Sequence, residues 1–134
     1  GFQTATTNAL SQTSKEKRNA LGETASTEDH HGGTVEFTRD AQGNVVRTTR
    51  SKPSSDASPA PASVATTATF DLLGRMTAQD DPDLGRVQYR YNSLGEPRCR
   101  QDAAGSLTVT AYDGLGRMAS RRDHRARAGS ACAN

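Results

Sequence analysis

The sequence has few of the residues that build a conventional hydrophobic core. Isoleucine and tryptophan are absent, and eight Leu, six Val and three Phe make up about 13% of the 134 residues. A share below about 20% is typical of disordered chains, but those also carry a high net charge. Here the formal charge is only +2. The composition therefore predicts a polar β array in which each unit buries little and depends on its neighbours.

Other absences exclude several classes of protein. Cys99 and Cys132 show neither CxxC spacing nor a second pair, so they are either two free thiols or one bridge, and no zinc or redox motif is indicated. No apolar run of about 18 residues is present, so no membrane span is predicted. The first residues lack the basic and apolar blocks of a signal peptide, so an export signal, if there is one, lies outside this chain. A pI near 8.8 with a charge of +2 is too weak to indicate nucleic-acid binding.

One short motif recurs every 21 residues. An aromatic residue, then Asp or Asn, then Leu-Gly two positions later occurs in Phe70–Met76 (FDLLGRM), Tyr91–Pro97 (YNSLGEP) and Tyr112–Met118 (YDGLGRM). Two copies upstream, 19–22 (NALG) and 40–43 (DAQG), have Arg18 and Arg39 in the aromatic position. A fixed period of this length is typical of repeat architectures.

A second set of glycines lies halfway between the main ones. Gly32, Gly85 and Gly105 divide the period into steps of 10 or 11 residues. An acidic residue comes three positions before two of these glycines, in 29–32 (DHHG) and 102–105 (DAAG), and four positions before the third, in 81–85 (DPDLG). The segment 8–11 (NALS) is interpreted as one more copy with its glycine replaced.

Turn chemistry explains this spacing. Asp or Asn at the first turn position accepts hydrogen bonds from its own backbone, and glycine at the fourth tolerates the positive φ that ends a type I turn with a bulge. The segments 86–91 and 106–112 alternate apolar and polar residues, as half-buried strands do. One 21-residue unit is therefore predicted to be one β-hairpin. The fold prediction is all-β: repeated antiparallel hairpins forming an open array or partial shell, with disordered termini.

Composition divides the chain into five segments. Residues 1–18 are a divergent repeat or a disordered lead, and 19–50 and 69–123 are repeats. Residues 51–68, with Pro53, Pro59 and Pro61, are predicted to be a linker or insertion, with a degenerate repeat unit as the alternative. Residues 124–134 are predicted to be a disordered basic tail.

The motif resembles a known family. The copies at Phe70 and Tyr112 are similar to the YDxxGR(L/M) core of the RHS/YD repeat, and 81–85 is similar to its connecting DPxG turn. Arg18 and Arg39 in the aromatic position and Glu96-Pro97 after Gly95 depart from the pattern. The resemblance implies hairpins wound side by side into a large β shell that, in bacterial toxin-complex and polymorphic-toxin proteins, encloses a toxin. Related repeats occur in large cell-surface proteins.

The resemblance leads to a functional hypothesis. The chain is expected to be a non-enzymatic structural segment of such a shell within a large secreted or cell-surface protein. Its expected partners are neighbouring repeats and, where the shell encloses one, a toxin domain, with no cofactor, metal or nucleic acid. The alternatives are a glycan-binding module and an inactive, largely disordered fragment. The residues expected to carry the repeat are Phe70, Asp71, Leu73, Gly74, Arg75, Tyr91, Asn92, Leu94, Gly95, Tyr112, Asp113, Leu115, Gly116 and Arg117.

Five other groups of residues carry potential chemistry. The acidic cluster Asp80, Asp81 and Asp83 is interpreted as turn chemistry rather than a calcium site. His30 and His31 on a strand would point to opposite faces, which disfavours a shared metal, and a turn or surface position is the default. Cys99 lacks a Cys-His-Asx context for nucleophilic catalysis. The remaining two groups are predicted to be a solvated strand edge (Arg117, Arg121, Arg122, Arg125 and Arg127) and packing residues rather than sugar platforms (Phe37, Phe70, Tyr89, Tyr91 and Tyr112).

Overall fold

A computed structural model describes residues 1–53 and 62–125 of the chain. These residues form eleven antiparallel β-strands and no helix, which confirms the all-β prediction. The strands are β1 (Phe2–Thr7), β2 (Thr13–Arg18), β3 (Thr24–Glu28), β4 (Thr34–Arg39), β5 (Val45–Ser51), β6 (Ser63–Phe70), β7 (Met76–Asp81), β8 (Gly85–Tyr91), β9 (Pro97–Gln101), β10 (Ser106–Tyr112) and β11 (Met118–Arg125).

The strands lie in one open sheet, in the order in which they occur in the chain. Each strand therefore pairs with the strand before it and the strand after it, as a succession of hairpins requires. By their internal contacts the residues group into two compact units, Gly1–Thr67 and Ala68–Asn134. One 21-residue period, such as that from Gly74 to Gly95, contains two antiparallel strands, which confirms that one repeat is one hairpin.

The turns contain glycines with positive φ at the predicted positions. Gly95, for example, has a φ of 86°, a backbone conformation that side chains with a Cβ rarely adopt. The same holds for all eight glycines that set the repeat: Gly22, Gly32, Gly43, Gly74, Gly85, Gly95, Gly105 and Gly116. Ser11 has a φ of 59° and is the one positive-φ residue other than glycine within the described ranges. The interpretation of 8–11 as a copy with its glycine replaced is thus confirmed.

Two kinds of turn alternate along the chain. The main turns are those of the 21-residue motif, and each one with a described register is followed by a β-bulge: Arg18 pairs with Thr24, but Lys17 pairs with Ser26. The same shift follows the turns at 40–43, 92–95 and 113–116. The half-unit turns show no such shift at 8–11, 29–32 and 102–105. Because successive antiparallel strands reverse direction, the main turns of one unit all lie at the same end of its strands.

The sheet has almost no hydrophobic core. Among the described residues only Ala78, Cys99 and Leu107 are buried hydrophobics. Leu107 packs with Cys99 and the half-buried Val109 on neighbouring strands. The prediction of an array that buries little per unit is therefore confirmed, and the contacts that hold the hairpins together must be found elsewhere.

The strands also extend into segments expected to be irregular. β1 pairs with β2 from Phe2↔Arg18 to Thr7↔Thr13, so the amino-terminal residues form a repeat hairpin and the expectation of a disordered amino terminus is corrected. The reason is that Asn8 and Ser11 close an ordinary repeat turn despite the missing glycine.

The other two segments are described only in part. The stretch 51–68 begins at the last residue of β5, and β6 starts at Ser63, with the Lys52 N–H donating to the Ala62 carbonyl at 3.1 Å. Its middle, 54–61, lies outside the described residues. In the tail, His124 and Arg125 belong to β11, and 126–134 lie outside the described residues. No helix in the described ranges is long and apolar enough to cross a membrane.

Candidate functional site

The fourteen residues expected to carry the repeat all lie in or beside the three main turns of the second unit. Phe70, Tyr91 and Tyr112 end strands β6, β8 and β10, directly before each turn. The turns themselves are 71–74, 92–95 and 113–116, and each is followed by Arg75, Glu96 or Arg117. The structure therefore places these residues at one end of the strands of this unit.

Each main turn is closed by its first residue. The Asp71 carbonyl accepts the Gly74 N–H at 3.0 Å, and the Asp71 N–H donates to the Arg75 carbonyl at 2.9 Å. The Asp71 Oδ1 atom also accepts the N–H groups of Leu73 at 2.9 Å and Arg75 at 3.0 Å. A short polar side chain thus satisfies backbone donors that the turn would otherwise leave to water. Asn92 and Asp113 make the same pair of Oδ1 contacts.

The residue after the glycine folds back onto the first turn residue, and the two are matched as donor and acceptor. Arg75 Nε donates to Asp71 Oδ2 at 2.7 Å, and Arg117 repeats this contact with Asp113 at 2.8 Å. In the middle turn the polarity is reversed, because Asn92 Nδ2 donates to the Glu96 carboxylate. Positions 92 and 96 therefore differ from the Asp and Arg of the other two turns as a pair. The hydrogen bond between the two side chains is kept.

The same matching occurs in the first unit. Asn19 Nδ2 donates to Glu23 Oε2 at 2.7 Å, whereas Asn44 Nδ2 donates to Asp40 Oδ2 at 2.9 Å. Asparagine at the first position is thus followed by an acceptor, and aspartate by a donor. The signal for this rule in the sequence is the spacing of four residues between the two positions.

The tyrosine before each of two main turns fastens its hairpin to the preceding one. The Tyr91 hydroxyl donates to the Met76 carbonyl at 2.8 Å, and the Tyr112 hydroxyl donates to the Pro97 carbonyl at 3.1 Å. In both cases the acceptor lies 15 residues upstream. It is the second residue after the glycine of the preceding main turn. The contact therefore links one repeat to the next.

Arg39 makes the equivalent contact in the first unit. Its Nη2 atom donates to the Thr24 carbonyl at 3.4 Å, and Thr24 is again 15 residues upstream. Arg39 Nε also lies 3.6 Å from Glu23 Oε2 of the preceding turn. Arginine thus replaces tyrosine as the donor, so a residue that breaks the aromatic pattern keeps the contact between repeats. We call these three contacts, made by Arg39, Tyr91 and Tyr112, the inter-repeat hydrogen bonds.

Arg75 adds a second link between consecutive main turns. Its guanidinium carbon lies 4.8 Å from the centre of the Tyr91 ring, and Nη1 donates to the Asn92 carbonyl at 3.4 Å. The side chain is 28% exposed, whereas that of Arg117 is 74% exposed. Such a cation–π contact typically contributes about 0.5–1 kcal/mol at an exposed site.

The electrostatics of the turns follow from these hydrogen bonds. The Arg75 backbone N–H, assisted by its side chain and the Leu73 N–H, holds the pKa of the Asp71 carboxyl below its ordinary value. The Arg117 backbone N–H and side chain do the same to the pKa of Asp113. Burial raises the pKa of the Tyr91 phenol, which keeps that hydroxyl protonated as a donor.

The acidic cluster and the histidines lie at turns. Asp81 Oδ1 accepts the N–H groups of Asp83 and Leu84, and Asp80 forms an ion pair with Arg86 at 3.1 Å. His30 and His31 occupy the middle of turn 29–32 rather than a strand, and their ring centroids lie 3.8 Å apart. Both histidines thus occupy the turn position that was the default expectation, and the strand arrangement does not occur because β3 ends at Glu28. Within the described ranges no three His, Cys, Asp or Glu residues are arranged to hold a metal ion.

The structure describes most of the basic run and one of the two cysteines. In the basic run Arg121 forms an ion pair with Asp123 at 3.1 Å, Arg122 and Arg125 lie exposed on β11, and Arg127 lies outside the described residues. Cys99 is 9% exposed, and the described ranges contain no free thiol. Cys132 lies outside these ranges.

The aromatic residues do not form an exposed platform. Phe37, Phe70, Tyr89, Tyr91 and Tyr112 are all half-buried. Two of the three tyrosine hydroxyls are engaged in the inter-repeat hydrogen bonds. Their role as packing residues is thus partial, because none is fully buried and the tyrosines act also as donors.

Comparisons with known proteins give only a remote likeness. No family model matches the sequence, and no curated protein matches it. Three solved structures that are similar to parts of the chain come from toxin complexes. They are the Photorhabdus luminescens Tc holotoxin pore (12% identity, 86% of this chain, TM-score 0.39), TcdB2-TccC3 (12%, 85%, 0.38) and TcdB2-TccC3 without its hypervariable C-terminal region (12%, 90%, 0.40).

The chain spans 9% of the length of each of these proteins. At such identities and TM-scores the likeness carries no weight for activity or partners. The turn geometry of this chain therefore carries the functional argument.

Proposed function

We propose that this chain is a non-enzymatic structural segment of an RHS/YD-repeat shell in a large secreted or cell-surface bacterial protein, where the repeats help to enclose a toxin domain. The observation that carries the proposal is the set of inter-repeat hydrogen bonds from Arg39, Tyr91 and Tyr112. They fasten three of the hairpins to their predecessors through backbone carbonyls, so they need one donor side chain at the end of a strand and no particular side chain on the acceptor residue.

This arrangement suits a wall better than a binding pocket. A repeat held by its turns can be added to another repeat without building a core, and the described residues bury only three hydrophobic side chains. Both faces of the strands are then free to vary in sequence. Stability in such an array is approximately the sum of contributions from the units and their nearest-neighbour contacts.

The glycan-binding alternative requires the tyrosine rings to be available to a ligand. Tyr91 is instead half-buried, its hydroxyl donates to the Met76 carbonyl, and the Arg75 guanidinium lies over its ring. A glycan array probed with this chain distinguishes the two functions. We expect no specific glycan; binding that Tyr91→Ala abolishes while the strand spectrum is retained would favour the glycan module instead.

The shell itself is tested in the full-length parent protein by limited proteolysis. We expect a segment enclosed by the repeats to resist protease in the wild type and to become sensitive when Tyr91→Ala and Tyr112→Ala are combined. Tyr89→Ala is the matched control, because within the described ranges the Tyr89 hydroxyl makes no hydrogen bond to another repeat. Circular dichroism of each variant checks that the strands are retained. Equal protease sensitivity in the wild type and the double variant would contradict enclosure by this segment.

A further inference from the structure

The leucines of this chain are found at the turns rather than in a core. Seven of the eight are exposed, with at least 76% of their surface accessible, and Leu107 is the exception. Each exposed leucine lies within a turn: Leu10, Leu21, Leu72, Leu73, Leu84, Leu94 and Leu115. Single exposed apolar residues are common on protein surfaces, but a repeated series in a chain with so few apolar residues indicates a contact surface.

Four of these leucines form a row in the second unit. Leu73, Leu94 and Leu115 each come directly before the glycine of a main turn, and Leu72 lies beside Leu73. We call these four residues the leucine row. Successive main turns are two strands apart, so the turns that carry the row follow one another at about 9.5 Å. At the opposite end of the strands, the half-unit turns of this unit carry Leu84 as their one leucine.

The row is flanked by charges that alternate in sign. Arg75, Glu96 and Arg117 follow the three glycines in turn. Arg117 is 74% exposed, with its Nε held by Asp113, so its outer nitrogens face solvent. An apolar row with alternating charges beside it is complementary to an identical row that runs antiparallel and is offset by one step. In that arrangement Glu96 of each copy lies beside Arg117 of the other, and Leu94 of each copy lies beside Leu115 of the other.

We propose that the leucine row is a self-association surface, through which the main-turn end of this unit binds the same end of a second copy of the chain. The contact is isologous, because each copy contributes the same residues. It is also independent of the inter-repeat hydrogen bonds, which lie within each copy and leave the leucine side chains exposed.

Two matched substitutions test the proposal by sedimentation velocity of the full chain over a wide range of concentration. Leu94 and Leu84 are both 76% exposed, and each directly precedes a positive-φ glycine, but they lie at opposite ends of the strands. We expect the wild type to form a dimer and Leu94→Asn to raise the dissociation constant about tenfold or more, since each copy loses one buried leucine. Leu84→Asn should leave it unchanged.

A triple variant, Leu73→Asn with Leu94→Asn and Leu115→Asn, should be monomeric and retain the strand spectrum, because none of these side chains packs within the fold. A monomeric wild type would overturn the proposal, as would an equal effect of Leu84→Asn and Leu94→Asn, or a dimer that survives the triple substitution. Binding of the monomeric chain to phosphatidylcholine vesicles would assign the row to lipid and would also overturn it. A monomeric wild type would leave the proposed shell intact, since that proposal rests on the protease test.

Discussion

At the scale of single residues, the turns are determined by one backbone angle and one side-chain acceptor. Positive φ at the fourth position selects glycine, and the two backbone N–H groups inside the turn select Asp or Asn at the first. Both requirements are visible in the sequence, so the turns could be predicted residue by residue. Ser11 shows the limit, because the pattern located its turn although its φ of 59° is unfavourable for a residue with a Cβ.

Ser11→Gly should therefore stabilise the chain. Relief of the left-handed conformation contributes about 1 kcal/mol, and the greater entropy of glycine in the unfolded chain offsets part of it, which leaves about 0.5 kcal/mol. Urea unfolding measures the difference. Gly22→Ser is the reciprocal control: no atom lies within 4 Å of its added Cβ, so it should destabilise through backbone strain alone. A destabilising Ser11→Gly would contradict this explanation.

The lowered pKa of Asp71 predicts a defined response to acid. Because its pKa in the folded state lies below the ordinary value of 3.8, its carboxylate contributes stability above that pH, and the contribution is lost as the pH falls through the folded pKa. Asp71→Asn keeps the Oδ1 acceptor, as Asn92 does, but cannot titrate. Its urea midpoint should fall less than that of the wild type between neutral pH and pH about 2.5.

The matched control for this titration is Asp83→Asn. It removes the same charge from the next turn along the chain, and the Asp83 carboxylate accepts no hydrogen bond within the described residues. The turn contacts of Asp71 stay in place in this variant, so their loss in acid should be seen as it is in the wild type. If both variants lose the same share of that dependence, general charge effects rather than the turn contacts of Asp71 would account for it.

At the scale of the hairpin, the structure explains the departures from the motif that the sequence left unexplained. Glu96 is matched to Asn92, and Arg39 replaces tyrosine as the donor to a carbonyl 15 residues upstream. Neither could be predicted from residue type alone, because each depends on a contact with a second residue. The register shifts after the main turns could not be predicted either. A register shift is a property of two paired strands, and the sequence of one turn does not show it.

The donor–acceptor match predicts a compensating pair of substitutions. Asn92→Asp places two carboxylates together, and Glu96→Arg leaves the Asn92 amide without its acceptor, so each alone should destabilise by about 0.5–1.5 kcal/mol. Together they recreate the Asp71–Arg75 pair, and most of the loss should be recovered. A double-mutant cycle from urea unfolding measures the coupling. Additive losses would contradict the match.

At the scale of the whole molecule, the low apolar content correctly predicted a sheet with almost no core. It could not predict where the leucines lie, because the composition of a chain is the same whether its leucines lie in turns or pack in a core. Strand β6 could not be predicted for a similar reason: Ser, Ala and Thr in 63–68 match the composition of the residues before them, and the strand is recognised by its pairing with β5. The turns can therefore be predicted from the residues of each short segment, whereas the contacts between hairpins cannot.

The central claim is that, in a sheet with almost no core, hydroxyl-to-carbonyl contacts between repeats add to the backbone pairing that joins consecutive hairpins. The most direct test compares the urea unfolding of Tyr91→Phe and Tyr89→Phe. Each variant loses one hydroxyl from the same strand, but only Tyr91 donates to the preceding repeat. We predict that Tyr91→Phe lowers the free energy of unfolding by about 1 kcal/mol and that Tyr89→Phe leaves it nearly unchanged. Equal stability of the two variants would contradict the account.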